Sequence, residues 1–116
     1  MRLIDREELK ARLDRGDDVK LVLALQEWAY RAKHIPGTLF FPSVRAALEE
    51  LKPEDDIVVY CSNPACSASI LAYQGLVARG YRNVRRYAGG LLDWEDAGYP
   101  LEGEAVGDVE AAEARA

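Results

Sequence analysis

"IVVYCSNPACSAS", residues 57–69, drives a β-branched apolar run into a cysteine, then places a second cysteine five positions later, ahead of small residues that open a helical pattern. A short continuous run of this kind suits a strand buried on both faces. The chain has no other cysteine, so both of its thiols sit at one strand-to-helix junction. If successive amide N–H groups of residues 62–67 turn inward there, they make an anion-holding concavity, and the start of the helix adds its positive end. Magnitude decides whether that matters. An ordinary thiol, with a pKa near 8.5, is only a few per cent thiolate at neutral pH, and lowering it by about two units makes thiolate the major form. Such a shift needs roughly 2.7 kcal/mol, more than the ~0.3–1 kcal/mol usual for a helix dipole alone. The loop amides have to supply the remainder.

Upstream, Asp5 followed by Glu8 is a capping-box pattern, and a helix is expected over about 6–15. "KLVLAL" (20–25) is a second buried strand, "EWAYRAK" a short helix, and "HIPG" (34–37) a breaker. "TLFFP" reads as a strand ended by Pro42, and "SVRAALEEL" (43–51) as a helix with Ser43 at its N-cap. Downstream, "SASILAYQGLVARG" (67–80) is helical, "NVRRY" is the last strand, and "GGLLDWEDAG" leads into a short final helix. Strands separated by helical segments point to an α/β sheet, mainly parallel and covered on both faces. Chemistry in such sheets gathers beyond the carboxyl ends of the strands, where Cys61 falls.

At 116 residues the chain suits one domain able to bury a core without disulfide staples. We assign it to residues 1–101, with 102–116 as an acidic, flexible tail. That tail holds five acids and one arginine, net −4, of the formal charge of −5. The remaining −1 is too balanced to indicate nucleic acid or a membrane surface as partner. No stretch approaches the roughly 18 apolar residues of a membrane span, and "MRLIDREELK" lacks the apolar region of a secretory signal. A cytoplasmic setting with reduced thiols is expected.

These features together resemble the single-domain rhodanese-like sulfurtransferases. The likeness runs from about Ile4 to Leu101 and includes "HIPG", "IVVYC", the cysteine loop ending at Ser67, "GYRNV" and "AGGLLDWEDAGYP" at 88–100. The resemblance implies a three-layer α/β/α fold with a five-stranded, mainly parallel sheet. It implies that Cys61 is the nucleophile and carries sulfur as an anionic persulfide, loaded by thiosulfate or another sulfane donor and unloaded to a thiol or cyanide-like acceptor, with no cofactor. Related phosphatases have a loop one residue longer, closed by an arginine six positions after the cysteine. That position here is Ser67, which disfavours phosphate chemistry.

Two departures from the family pattern stand out. The loop position that often carries a basic residue holds Cys66, and the Asp and Arg common in the early strand are replaced by Leu23 and Leu25. A persulfide-bearing small thiol or a partner protein then becomes a better donor than dianionic thiosulfate. Cys66 has several readings: it could attack a Cys61 persulfide, releasing sulfide and closing a disulfide; protect Cys61 from oxidation; or fill the first helical turn. The expected loop is Ser62, Asn63, Pro64, Ala65, Cys66 and Ser67, where Ser62, Asn63 and Ser67 either hydrogen-bond the sulfur or cap the turn. A module of the same fold with little turnover, reporting redox state through a reversible Cys61–Cys66 disulfide, is the alternative function. Two cysteines and one histidine are too few for a structural zinc site within one chain, so no metal is assigned. His34 is read as structural, Gly89 and Gly90 as points of close backbone approach, and Trp28 and Trp94 as core or rim packing; Arg85 and Arg86 alternate across a strand, so that one could face the site, with solvated ends the default.

Overall fold

The computed structural model describes residues 1–105. The 106–116 part of the acidic tail lies outside the described residues. Among the described residues the chain runs, in order, α1 (Arg6–Asp14), β1 (Val19–Leu23), α2 (Glu27–Ala32), α3 (Val44–Glu50), β2 (Asp56–Tyr60), α4 (Ala68–Ala78), β3 (Asn83–Tyr87) and α5 (Gly90–Asp96). The two capped starts form as their side chains dictate. Asp5 Oδ1 accepts from the Glu8 amide at 2.8 Å and Ser43 Oγ from the Ala46 amide at 3.1 Å, satisfying donors that have no intrahelical partner.

The sheet is parallel, in the order β1-β2-β3, with Leu21 opposite Val58 and Val58 opposite Arg85. Strand periodicity divides the apolar runs between two cores. Leu21, Leu23, Val58, Tyr60 and Tyr87 pack with Leu9 of α1 and Leu91 and Trp94 of α5. Val22, Ile57, Val59 and Val84 pack with Leu76 of α4, with Ala47 and Leu48 of α3 beside them. Helices therefore cover both faces, in three layers.

The expected five strands are not all present: among the described residues the sheet has three. The two outer segments are reduced to single parallel bridges, Leu39 with Val22 and Leu3 with Arg86. Leu39 donates to Leu21 O at 2.7 Å and accepts from Leu23 N at 3.3 Å, and on the other edge Ile4 donates to Arg86 O at 3.1 Å. "TLFFP" cannot extend its ladder far, because Pro42 has no N–H to give. Glu102 and His34 exchange two backbone hydrogen bonds, each 2.8 Å, so the start of the acidic segment is fastened to the "HIPG" turn.

Candidate functional site

β2 ends at Tyr60, whose hydroxyl accepts from the Ile35 amide at 3.1 Å and bonds Thr38 Oγ1 at 2.7 Å. Burial pushes its phenol up to about 12. This anchor delivers Cys61, 1% exposed, to the carboxyl edge of the sheet. The Cys61 and Ser62 carbonyls accept from the amides of Leu91 and Leu92, at 3.0 and 2.9 Å, fastening the loop to the start of α5. The approach demands glycine: Gly90 has φ +68°, and a Cβ there would stand 2.5 Å from Cys61 O and 2.9 Å from Ser62 C.

Asn63 organises the loop. Its Oδ1 accepts from the Ala65 amide at 2.9 Å, its carbonyl from the Cys66 amide at 3.1 Å, and its Nδ2 donates to Ser62 Oγ at 3.2 Å. The amides of Ala65 and Cys66 are thus turned toward Asn63 in this state. Pro64, Ala65 and Ser67 are exposed. Ser67 precedes α4 without a side-chain cap, leaving the positive end of that helix open to an anion. Cys61 and Cys66 are joined in a disulfide, with Cα atoms 6.3 Å apart, inside the span such a bridge allows. Cys61 Sγ also lies 3.9 Å from Ala24 O.

Beneath the loop lies a cation that the sequence reading left at the surface. Arg86 is only 7% exposed. Its Nε donates to Ser69 Oγ at 2.8 Å and its Nη2 to Pro64 O at 3.4 Å, and no carboxylate among the described residues pairs with it. The period-two pattern that places Val84 on the α4 face also places Arg86 there, the one available signal. Its neighbour Arg85 faces α1, near Glu8 and Asp56 at 3.9 and 4.0 Å. On that same face Tyr87 donates to Asp93 Oδ2 at 2.6 Å; burial, and then this bond to a carboxylate, push its phenol well above the ordinary range.

The remaining candidates separate. His34 stacks on Tyr30, with Nδ1 2.7 Å from Tyr30 O and Nε2 3.7 Å from Glu102; it packs a turn and does not meet the cysteines. Trp94 is buried, donating to Pro100 O at 2.8 Å. Trp28 is 71% exposed and, with Leu25, Phe41, Val44 and Leu71, walls an open groove of about 960 Å³ that reaches the loop at Ser62 and Ala68. Among the described residues the only charged one lining it is Lys33, which pairs with Glu95.

Residues 5–97 match the family model of the rhodanese-like domain. The chain is 39% identical over 108 residues to an HTH-type transcriptional regulator of Mycobacterium tuberculosis, covering 90% of this chain but only 46% of the regulator. It is 32% identical over 100 residues to a sulfurtransferase of Allochromatium vinosum, covering 84% of this chain and 92% of that protein. The solution structure of the rhodanese-like domain of an Anabaena protein superposes with a TM-score of 0.80 at 27% identity, over 90% of this chain and 81% of the other.

Proposed function

This chain belongs to the rhodanese-like domain family, and from that premise we propose that it is a sulfurtransferase with Cys61 as nucleophile and sulfur carrier. The reduced Cys61 thiolate attacks the outer sulfur of a sulfane donor. A bond forms between Cys61 Sγ and that sulfur, and the donor's own S–S bond breaks, its electron pair leaving as a thiolate, or as sulfite when the donor is thiosulfate. A thiophilic acceptor, a thiolate or a cyanide-like nucleophile, then takes the outer sulfur and Cys61 leaves as thiolate. The observation that carries this reading is the position of Cys61: at the carboxyl end of β2, against the uncapped N-terminus of α4, with Arg86 behind the loop. Both charges favour a sulfur anion.

The apolar groove supports an organic donor. A wall of Leu25, Trp28, Phe41 and Leu71 offers nothing to a small dianion, but it can desolvate the carbon skeleton of an alkyl persulfide or a side chain of a partner protein. Thiosulfate is a poorer donor in this reading. The name of the Allochromatium relative agrees with the reaction class. Incubating the reduced protein with an alkyl persulfide and weighing it intact gives the test. In the Cys66→Ser background a gain of one sulfur atom, absent when Cys61→Ser is added, is expected; no gain there with either an alkyl persulfide or thiosulfate would refute the reading.

The Cys61–Cys66 bridge favours a second reading, a redox-reporting module, and a regulator among the relatives is in keeping with it. Fast, reversible loss of both thiols on peroxide, with no persulfide formed from any sulfane donor, would support this reading over the first.

A further inference from the structure

We infer that Cys66 resolves the Cys61 persulfide, so that this domain reduces sulfane sulfur to sulfide at the expense of its own two thiols and is reset by a dithiol. The inference builds on the sulfurtransferase reading and adds an activity to it: sulfide release without an external sulfur acceptor.

Three features carry it. The first is reach. In a persulfide, Cys66 has two targets: the outer sulfur, which would merely move the persulfide to Cys66, and the inner Cys61 Sγ. The structure holds Cys66 bonded to Cys61 Sγ, with the Cα atoms 6.3 Å apart and every non-glycine residue at negative φ. The inner sulfur is therefore within reach of Cys66. The second is the asymmetry of the pair. Cys61 is 1% exposed, whereas Cys66 is half-buried and flanked by exposed Ala65 and Ser67. A reductant can approach only the Cys66 side. The third is the leaving group. Attack on Cys66 expels Cys61 as a thiolate beside the loop that leads into the open end of α4 and whose Pro64 carbonyl Arg86 holds, and a stabilised thiolate leaves faster.

The steps balance. Cys61–S–SH and the Cys66 thiolate give the Cys61–Cys66 disulfide and HS⁻: the Cys66–Cys61 bond forms, the bond to the outer sulfur breaks, and its electron pair leaves with HS⁻. The outer sulfur gains two electrons, which the two cysteines supply together. A dithiol then attacks Cys66 Sγ. Its first thiolate forms a mixed disulfide with Cys66 and frees Cys61; its second closes the reductant's own disulfide and frees Cys66. While the internal disulfide stands, Cys61 has no free thiolate, so a new donor cannot load until a dithiol has acted.

The test uses reduced protein, freed of the added reductant, under anaerobic conditions, mixed with one equivalent of an alkyl persulfide, and separately with thiosulfate. Wild type is expected to release about one sulfide per chain as its free thiols fall from two to none. Cys66→Ser and Cys66→Ala are expected to keep the added sulfur atom and to release roughly a tenth as much sulfide or less. Wild type that keeps the added sulfur, releases no sulfide and retains a titratable Cys66 would overturn the inference while leaving the sulfurtransferase reading intact. Absence of any added sulfur in the Cys66 variants would refute the reading itself. Brief exposure of the oxidised protein to a monothiol, followed by alkylation and peptide mapping, checks the direction of reduction: the monothiol is expected on Cys66 and the alkyl group on Cys61, and the reverse pattern would overturn it.

Discussion

Arg85 and Arg86 are neighbours on β3, yet the two faces of the strand treat their charges oppositely. Arg85, on the α1 face, has carboxylates of Glu8 and Asp56 at 3.9 and 4.0 Å, while its Nη1 is buried without a hydrogen-bond partner. Arg86, on the α4 face, has two hydrogen-bond acceptors and, among the described residues, no counter-charge. An Arg whose charge is matched by fixed acids belongs to the structure's internal balance. A buried guanidinium held only by neutral oxygens, close to the positive end of a helix, is stabilised when an anion arrives. Where the resemblance implies a basic residue the loop holds Cys66, and Arg86 of β3 lies beneath that loop, donating to Pro64 O.

The largest expected effect comes from removing the seat on which the Arg86 side depends. Gly90→Ala forces a left-handed φ on alanine and drives its Cβ into backbone atoms of Cys61 and Ser62, which cannot yield as a flexible side chain would. Together these are expected to cost more than about 3 kcal/mol. Gly37→Ala is the control: φ is +85° but the space around it is open, so only the conformational term of about 1–2 kcal/mol applies. Urea melts of both variants decide it; equal losses would mean that the α5 contact does not hold the loop.

Next in size is the effect on thiol reactivity. In the reduced Cys66→Ser background, alkylation of Cys61 at pH 7 is expected to slow roughly tenfold in Arg86→Met. In Arg85→Met it should stay within about twofold, because Arg85 lies across the sheet among its acids. Equal slowing by the two substitutions would erase the distinction between the faces. Arg86→Lys is expected to restore much of the rate, which a purely packing role for Arg86 would not produce.

The legible parts of the molecule were those where a local rule is strong. Asp5 with Glu8 and Ser43 marked two helix starts through the very hydrogen bonds that form, and uninterrupted apolar runs marked β1 and β2. Gly90 was readable as a close approach, although only the fold shows that its neighbour is the Cys61 carbonyl. "TLFFP" has strand composition but makes a single bridge, since pairing depends on what borders the segment. Arg86 was hidden because burial of a cation is decided by α4 closing over it, and periodicity tells which face a residue occupies but not how deeply. The groove walled by Trp28 and Leu71 was hidden for the same reason. It joins residues of α2 and α4 that are far apart in the chain.

The smallest expected effect lies on the Arg85 face, where Tyr60 and Tyr87 share one core. Burial raises the Tyr60 phenol from 10.0 to about 12, against the opposing effect of its bonds to Thr38 and the Ile35 amide. Below pH 10 the group is neutral in both folded and unfolded chains and contributes nothing to the pH dependence. Above it the unfolded chain loses the proton while the folded one keeps it, so stability falls as pH climbs toward 12. Tyr60→Phe removes this penalty but leaves the buried Ile35 amide without its acceptor, at a cost of about 1–3 kcal/mol. The difference in stability between wild type and Tyr60→Phe should therefore be widest near pH 8 and narrow by on the order of 1 kcal/mol at pH 11. A gap that stays constant between those two pH values would mean that the Tyr60 phenol ionises as readily in the folded protein as in the unfolded chain, and that this face of the sheet does not seal its polar groups from water.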